Sequence, residues 1–126
     1  MRTAVGAAAL VLLVGACSSG TSQHHVSGTV VSIKLLAFSP DTVTVKAGTT
    51  VSWRDDEPIT HTVTSGAVSG VDASTGLRSG QTPDGRFDHR LAGTGSTFSY
   101  RFTTPGTYSY FCSIHQGMNA TVVVTA

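Results

Sequence analysis

The segment Cys112-Ser113-Ile114-His115-Gln116-Gly117-Met118 sets a thiol, an imidazole and a thioether at even spacing inside one short loop, and the rest of the chain must be arranged to hold it. In the residues leading into it, Tyr108-Ser109-Tyr110-Phe111-Cys112, alternation puts Tyr108, Tyr110 and Cys112 on one face of a strand. That aims the sulfur inward with the aromatic rings. Gly117 lies where the chain must turn for the Met118 sulfur to point back, and glycine takes positive φ there without a Cβ penalty.

A thiolate, two imidazoles and a weak thioether donor form the set that suits copper cycling between Cu(I) and Cu(II). Three of these donors, Cys112, His115 and Met118, lie in the segment, and the second imidazole must come from elsewhere. His61, in Thr60-His61-Thr62-Val63, is the candidate because a strand-like run from Thr49 to Trp53 precedes it. Each donor alone has a plainer reading, since a lone Cys is commonly a small buried hydrophobe and a lone Met fills core space. The combination is what points to a metal.

The remaining pattern is all-β. Thr29 to Phe38 reads as one strand rich in Val, Ile and Leu, and Thr42 to Val45 and Val51 to Trp53 read as two short strands joined at Ala47-Gly48. His61 to Thr64, Thr97 to Phe102, Thr107 to Cys112 and Ala120 to Thr125 follow, with Thr104-Pro105-Gly106 as a turn. Short strands between Gly and Pro turns predict a Greek-key β-sandwich. Gly66 to Gly95, rich in Gly, Ser, Thr and Asp, is expected to be mostly coil. Asp55, Asp56 and Glu57 read as an exposed turn before His61, and His89 as a surface residue.

The N-terminal part divides from this domain. Arg2 followed by the apolar Ala4 to Val14 has the form of an export signal over residues 1–16, too short for the roughly 20 apolar residues of a membrane span. Val14-Gly15-Ala16-Cys17 resembles a bacterial lipobox, so Cys17 is expected to carry lipid, with residues 17–25 as a polar tether and 26–126 as the folded domain. His24 and His25 fall in that tether, where imidazoles could form a weak auxiliary copper site. Since the two cysteines are split between lipobox and ligand loop, no disulfide is expected.

Charge excludes some partners. The chain has 8 basic and 7 acidic side chains, which balance once Arg2 is set aside, and no basic cluster of the kind that binds nucleic acid is present.

From Phe38 to Val124 the chain resembles the small blue copper proteins of the plastocyanin/azurin family, the cupredoxins. Phe38-Ser39-Pro40, Gly48-Thr49-Thr50-Val51-Ser52-Trp53, His61-Thr62-Val63 and Gly106-Thr107-Tyr108-Ser109-Tyr110-Phe111-Cys112 occur in the family's order. The short His115-to-Met118 spacing is similar to the amicyanin type. The resemblance implies His61, Cys112, His115 and Met118 as ligands of one type 1 copper. Two departures stand beside them: Ile114 where the family often has Pro, and Thr62 where it frequently has Asn.

Four donors leave no position for substrate, which disfavours water-activating catalysis. The implied role is single-electron transfer between extracytoplasmic redox partners docking near His115, by a monomer held to the membrane only through its lipid. Copper storage or delivery is the alternative, and an interaction domain without redox function a third.

Overall fold

The computed structural model describes residues 28–126. The proposed signal, Cys17 and the tether with His24 and His25 lie outside the described residues. Nine strands form two sheets, with no helix among the described residues: β1 (Thr29–Lys34), β2 (Ala37–Ser39), β3 (Thr42–Lys46), β4 (Thr49–Asp55), β5 (His61–Ser69), β6 (Gly80–Leu91), β7 (Thr97–Phe102), β8 (Gly106–Phe111) and β9 (Asn119–Thr125). One sheet has the order β2-β1-β4-β7, the other β3-β9-β8-β5-β6. The pairs β1·β4 and β3·β9 are parallel, and the other pairings are antiparallel.

Strand alternation explains the core. Val31 and Ile33 of β1, Val51 and Trp53 of β4, Val43 and Val45 of β3, and Val122 and Val124 of β9 are all buried, each pair two residues apart. Trp53 lies at the centre, edge-on to Tyr110 with centroids 5.3 Å apart and stacked on Phe98 at 5.6 Å. Such pairs add about 0.5–1.5 kcal/mol each beyond the area they bury. This packing ties β8, which ends at the candidate cysteine, to the opposite sheet.

Three sequence expectations are corrected. The first strand is interrupted at Leu35 and Leu36, both at φ 54°, in a tight turn that pairs Lys34 with Ala37. Left-handed backbone costs a non-glycine residue of order 1–3 kcal/mol, and here the Glu57 carboxylate accepts the Leu36 N–H at 3.1 Å. The expected coil from Gly66 to Gly95 contains the end of β5 and all of β6. As the outer strand of its sheet, β6 buries Phe87 and Leu91, four residues apart on one face, and leaves Asp84, Arg86, His89 and Arg90 exposed. Charges and proline on such a strand suit an edge and hide it from hydrophobic pattern reading.

A bulge at Ser65 accounts for the Gly and Pro residues inside that pairing. The Ser65 hydroxyl accepts the Phe87 N–H at 2.8 Å and lies 2.6 Å from Asp84 Oδ1, replacing missing ladder bonds. Gly66, at φ 147°, passes so close to the Thr82 carbonyl that a Cβ would collide with it. The third correction concerns Asp55. It continues the inward alternation of Val51 and Trp53 and is fully buried, its Oδ1 accepting the Glu57 N–H at 2.9 Å.

Candidate metal centre

His61 opens β5, Cys112 follows the last residue of β8, and His115 and Met118 lie in the loop that leads into β9. Loop shape is set locally by Cys112 N–H donating to the Met118 carbonyl at 3.0 Å and Met118 N–H donating to the His115 carbonyl at 3.1 Å. One donor atom from each of His61, Cys112 and His115 lies within 4.8 Å of the others. Cys112 Sγ is 3.5 Å from His115 Nδ1, and the two imidazole centroids are 4.9 Å apart. His61 and Cys112 are completely buried, Met118 is 1 % exposed, and His115 is half-buried.

The remote nitrogen of His61, Nε2, meets Glu57 Oε2 at 3.0 Å. Its other nitrogen, Nδ1, is buried with no hydrogen-bond partner. A buried polar atom normally has one, and leaving it unpaired costs roughly 1–3 kcal/mol. An imidazole held on one nitrogen by a carboxylate, with its other nitrogen unpaired and a thiol and a second imidazole close by, is the arrangement of a metal ligand. The residues therefore fit a copper ion: a soft sulfur, two nitrogens and a buried thioether in the same loop.

Supporting contacts explain the threonine at position 62. Thr62 N–H points at Cys112 Sγ at 3.3 Å, and Thr62 Oγ1 accepts the Ser113 N–H at 2.7 Å, so a threonine after the first histidine ties β5 directly to the cysteine loop. Thr62 Oγ1 also lies 2.9 Å from Thr64 Oγ1, which donates to Asp88 at 2.8 Å. This polar row, on one face of β5, joins it to the ligand loop on one side and to β6 on the other. Gly117 does not use positive φ, contrary to the sequence expectation, and a Cβ there would make only ordinary contact with Leu77 Cδ2 at 3.4 Å. His89 stands apart, exposed on β6 with its ring stacked on Phe98 at 4.8 Å.

Two residues of the centre carry little signal in the sequence. Glu57 has the look of an exposed turn residue, and its spacing of four from His61 is the one sign of its role. Arg78 gave no signal in its Gly- and Ser-rich surroundings, yet it is buried at 3 % exposure, with its guanidinium against the ligand loop. Burial lowers its pKa, opposed by the negative charge available on Cys112.

Burial also lowers the pKa of His115, helped by the neighbouring His61 and opposed by Glu57. In the metal-free protein His115 should therefore titrate below an ordinary histidine when followed by NMR. A depressed folded pKa means that the unfolded chain binds the proton more readily, so the His115 contribution to stability is present above the ordinary histidine pKa and lost as pH falls. A midpoint at or above that of a free histidine would contradict this geometry.

Comparison with known proteins agrees with the donor set. The model of copper-binding proteins of the plastocyanin/azurin family matches residues 24–125. The chain is 35% identical over 92 residues to the plastocyanin of Scenedesmus fuscus, covering 71% of this chain and 87% of that protein. It is 31% identical over 133 residues to amicyanin-alpha of Methylorubrum extorquens, covering 98% and 99% respectively. The crystal structure of amicyanin from Paracoccus versutus superposes with a TM-score of 0.57 at 26% identity, over 79% of this chain and 82% of that one. With its ordered strands, its buried histidine and its cysteine loop, the chain belongs to the plastocyanin/azurin family of copper-binding proteins.

Proposed function

We propose that His61, Cys112, His115 and Met118 hold one type 1 copper ion and that the protein carries single electrons between extracytoplasmic redox partners. The observation that carries this reading is the cluster of His61, Cys112 and His115, with one donor atom of each within 4.8 Å of the others and a buried His61 Nδ1 that no hydrogen bond uses. Bound copper would supply the one-electron couple. The chain's own contribution is to fix the donors, exclude water from His61, Cys112 and Met118, and leave His115 near the surface. With the donors spoken for, no position remains for a substrate, and we assign no enzymatic role.

Leu36, Leu77 and Ile114 are 48%, 47% and 52% exposed, and they line a hollow with His115, Gln116 and Gly117. An apolar rim around the half-buried imidazole gives a monomeric carrier a place to dock a redox protein without long-range charge steering. The Cys17 lipobox supports export and attachment to the bacterial membrane by lipid, with no other membrane contact. Cys17→Ala should block processing at that site, and unlipidated wild-type protein in the soluble fraction with a mature N-terminus other than Cys17 would count against the anchor.

Donors held by Glu57, Thr62 and the loop's own hydrogen bonds favour retention of the ion over storage or delivery. The test is paired: the copper protein should give a reversible one-electron couple and release copper slowly to a thiolate chelator. No couple together with rapid release would replace electron transfer by delivery. Glu57→Gln should raise the reduction potential, because the carboxylate behind His61 favours the more positive oxidised centre and a neutral amide does not. Voltammetry showing no shift, or a downward one, would remove Glu57 from that role.

A further inference from the structure

We propose that Arg78 is the positioning residue of the metal centre: its guanidinium clamps the ligand loop through backbone carbonyls, and its unpaired charge favours the reduced state. The inference rests on the copper reading above, but its clamp can be tested without metal. Arg78 lies between β5 and β6, far in sequence from the loop it holds, and its own N–H donates to the Gln116 carbonyl at 3.2 Å.

The guanidinium is surrounded by acceptors. Nη1 lies 3.0 Å from the His115 carbonyl, 3.1 Å from that of Gln116, 3.3 Å from that of Met118 and 2.8 Å from Asn119 Oδ1. Nη2 donates to the Cys112 carbonyl and to Gln81 Oε1, and Nε donates to the same Gln81 oxygen at 2.9 Å. On its flat side, Cζ sits 4.9 Å from the centroid of Phe111. Carbonyls of Cys112, His115 and Met118 thus converge on one planar fork, which constrains the peptide plane following each of these three residues. A lysine, with a single nitrogen, cannot span the same set.

Every one of these acceptors is neutral, and Arg78 is in none of the ion pairs among the described residues. A buried cation without a carboxylate is costly unless something nearby is negative. Beside the Cys112 carbonyl, that negative group would be the Cys112 thiolate once copper is bound. A fixed positive charge there disfavours the oxidised centre, which carries one more positive charge than the reduced one. Positioning and electrostatics therefore come from the same side chain and can be separated by substitution.

The test uses the full chain with three variants, measuring the reduction potential with copper and amide hydrogen exchange of the loop without it. Arg78→Met should lower the preference for Cu(I) over Cu(II) about tenfold, a fall of about 59 mV for one electron, and should speed exchange at the Cys112 and Met118 amides at least about tenfold. Arg78→Lys should restore the potential but not the slow exchange. Gln81→Glu sets a carboxylate against the guanidinium while keeping the accepting oxygen, so the potential should fall with exchange unchanged. Should Arg78→Met fail to fold, the Lys and Glu variants carry the test.

Unchanged exchange in the Met variant, or in the Lys variant if Met does not fold, would overturn the clamp. A Lys variant whose potential falls, or a Glu variant whose potential stays put, would overturn the charge effect. Failure of the copper reading is distinguishable, because it would show in the wild type as the absence of a copper couple while the metal-free exchange measurements still read the clamp.

Discussion

Cys112→Ser should abolish the intense visible colour of the copper-loaded protein and weaken copper binding by more than about 100-fold, beyond the loss typical of a supporting residue. The thiolate is the one soft anionic donor in the set, and a hydroxyl in its place is hard and neutral at working pH. The sandwich should survive. Cys112 is completely buried, but the Thr62 N–H that points at its sulfur at 3.3 Å can donate to a serine oxygen instead. The cost to the metal-free fold should then be about 1 kcal/mol, the scale of one exchanged hydrogen bond. Denaturant unfolding and the visible spectrum check both parts. A serine variant that stayed blue would move the ligand assignment elsewhere.

Met118→Gln should keep copper but lower the reduction potential, by roughly 60 mV or more for a tenfold or greater change in the Cu(I)/Cu(II) preference. A thioether is a weak, soft donor that favours Cu(I), whereas an amide oxygen stabilises Cu(II). Because Met118 is 1 % exposed and packed in the core cluster, the amide also carries a desolvation cost of about 1–3 kcal/mol in the metal-free protein. Binding of Cu(II) should change less than in the Cys112 variant. A potential that rose, or copper lost as completely as from Cys112→Ser, would show that Met118 is not the weak donor.

The legible parts of this molecule were those whose information is local. Cys112, His115 and Met118 sit within one loop, and the alternation of Tyr108, Tyr110 and Cys112 is enough to set the direction of the sulfur. Buried strands such as β4 and β9 alternate cleanly because both depend on the same inter-sheet core. What was missed depends on contacts distant in sequence or on exposed backbone. β6 buries little besides Phe87 and Leu91, and its ladder is broken by the Ser65 bulge, so its hydrophobic signal is too sparse to read. Leu35 and Leu36 are poor residues for left-handed turn positions, and only the fold, with Glu57 bonding the Leu36 N–H, places them there.

The same division runs through the metal centre. The first set of donors could be named from residue type and spacing, but the groups that aim them could not. Glu57 and Asp55 look like an acidic surface turn until strand β4 carries its inward alternation one residue pair beyond Trp53. Arg78 reaches five residues from Cys112 to Asn119 out of a Gly- and Ser-rich connection between β5 and β6. A charged side chain in a Gly- and Ser-rich stretch is ordinarily a solvated one, and its burial follows from the loop it meets in space.

The central claim is that one preformed donor set holds a single redox-active copper. Adding Cu(II) to the purified metal-free protein, and recording the visible spectrum, copper stoichiometry and voltammogram on the same sample, tests it most directly. The account predicts one copper per chain, an intense thiolate-to-copper absorption that bleaches on reduction and returns on oxidation, and a reversible one-electron couple. A colourless complex without a reversible couple, from which Cu(I) passes readily to a thiolate chelator, would contradict it.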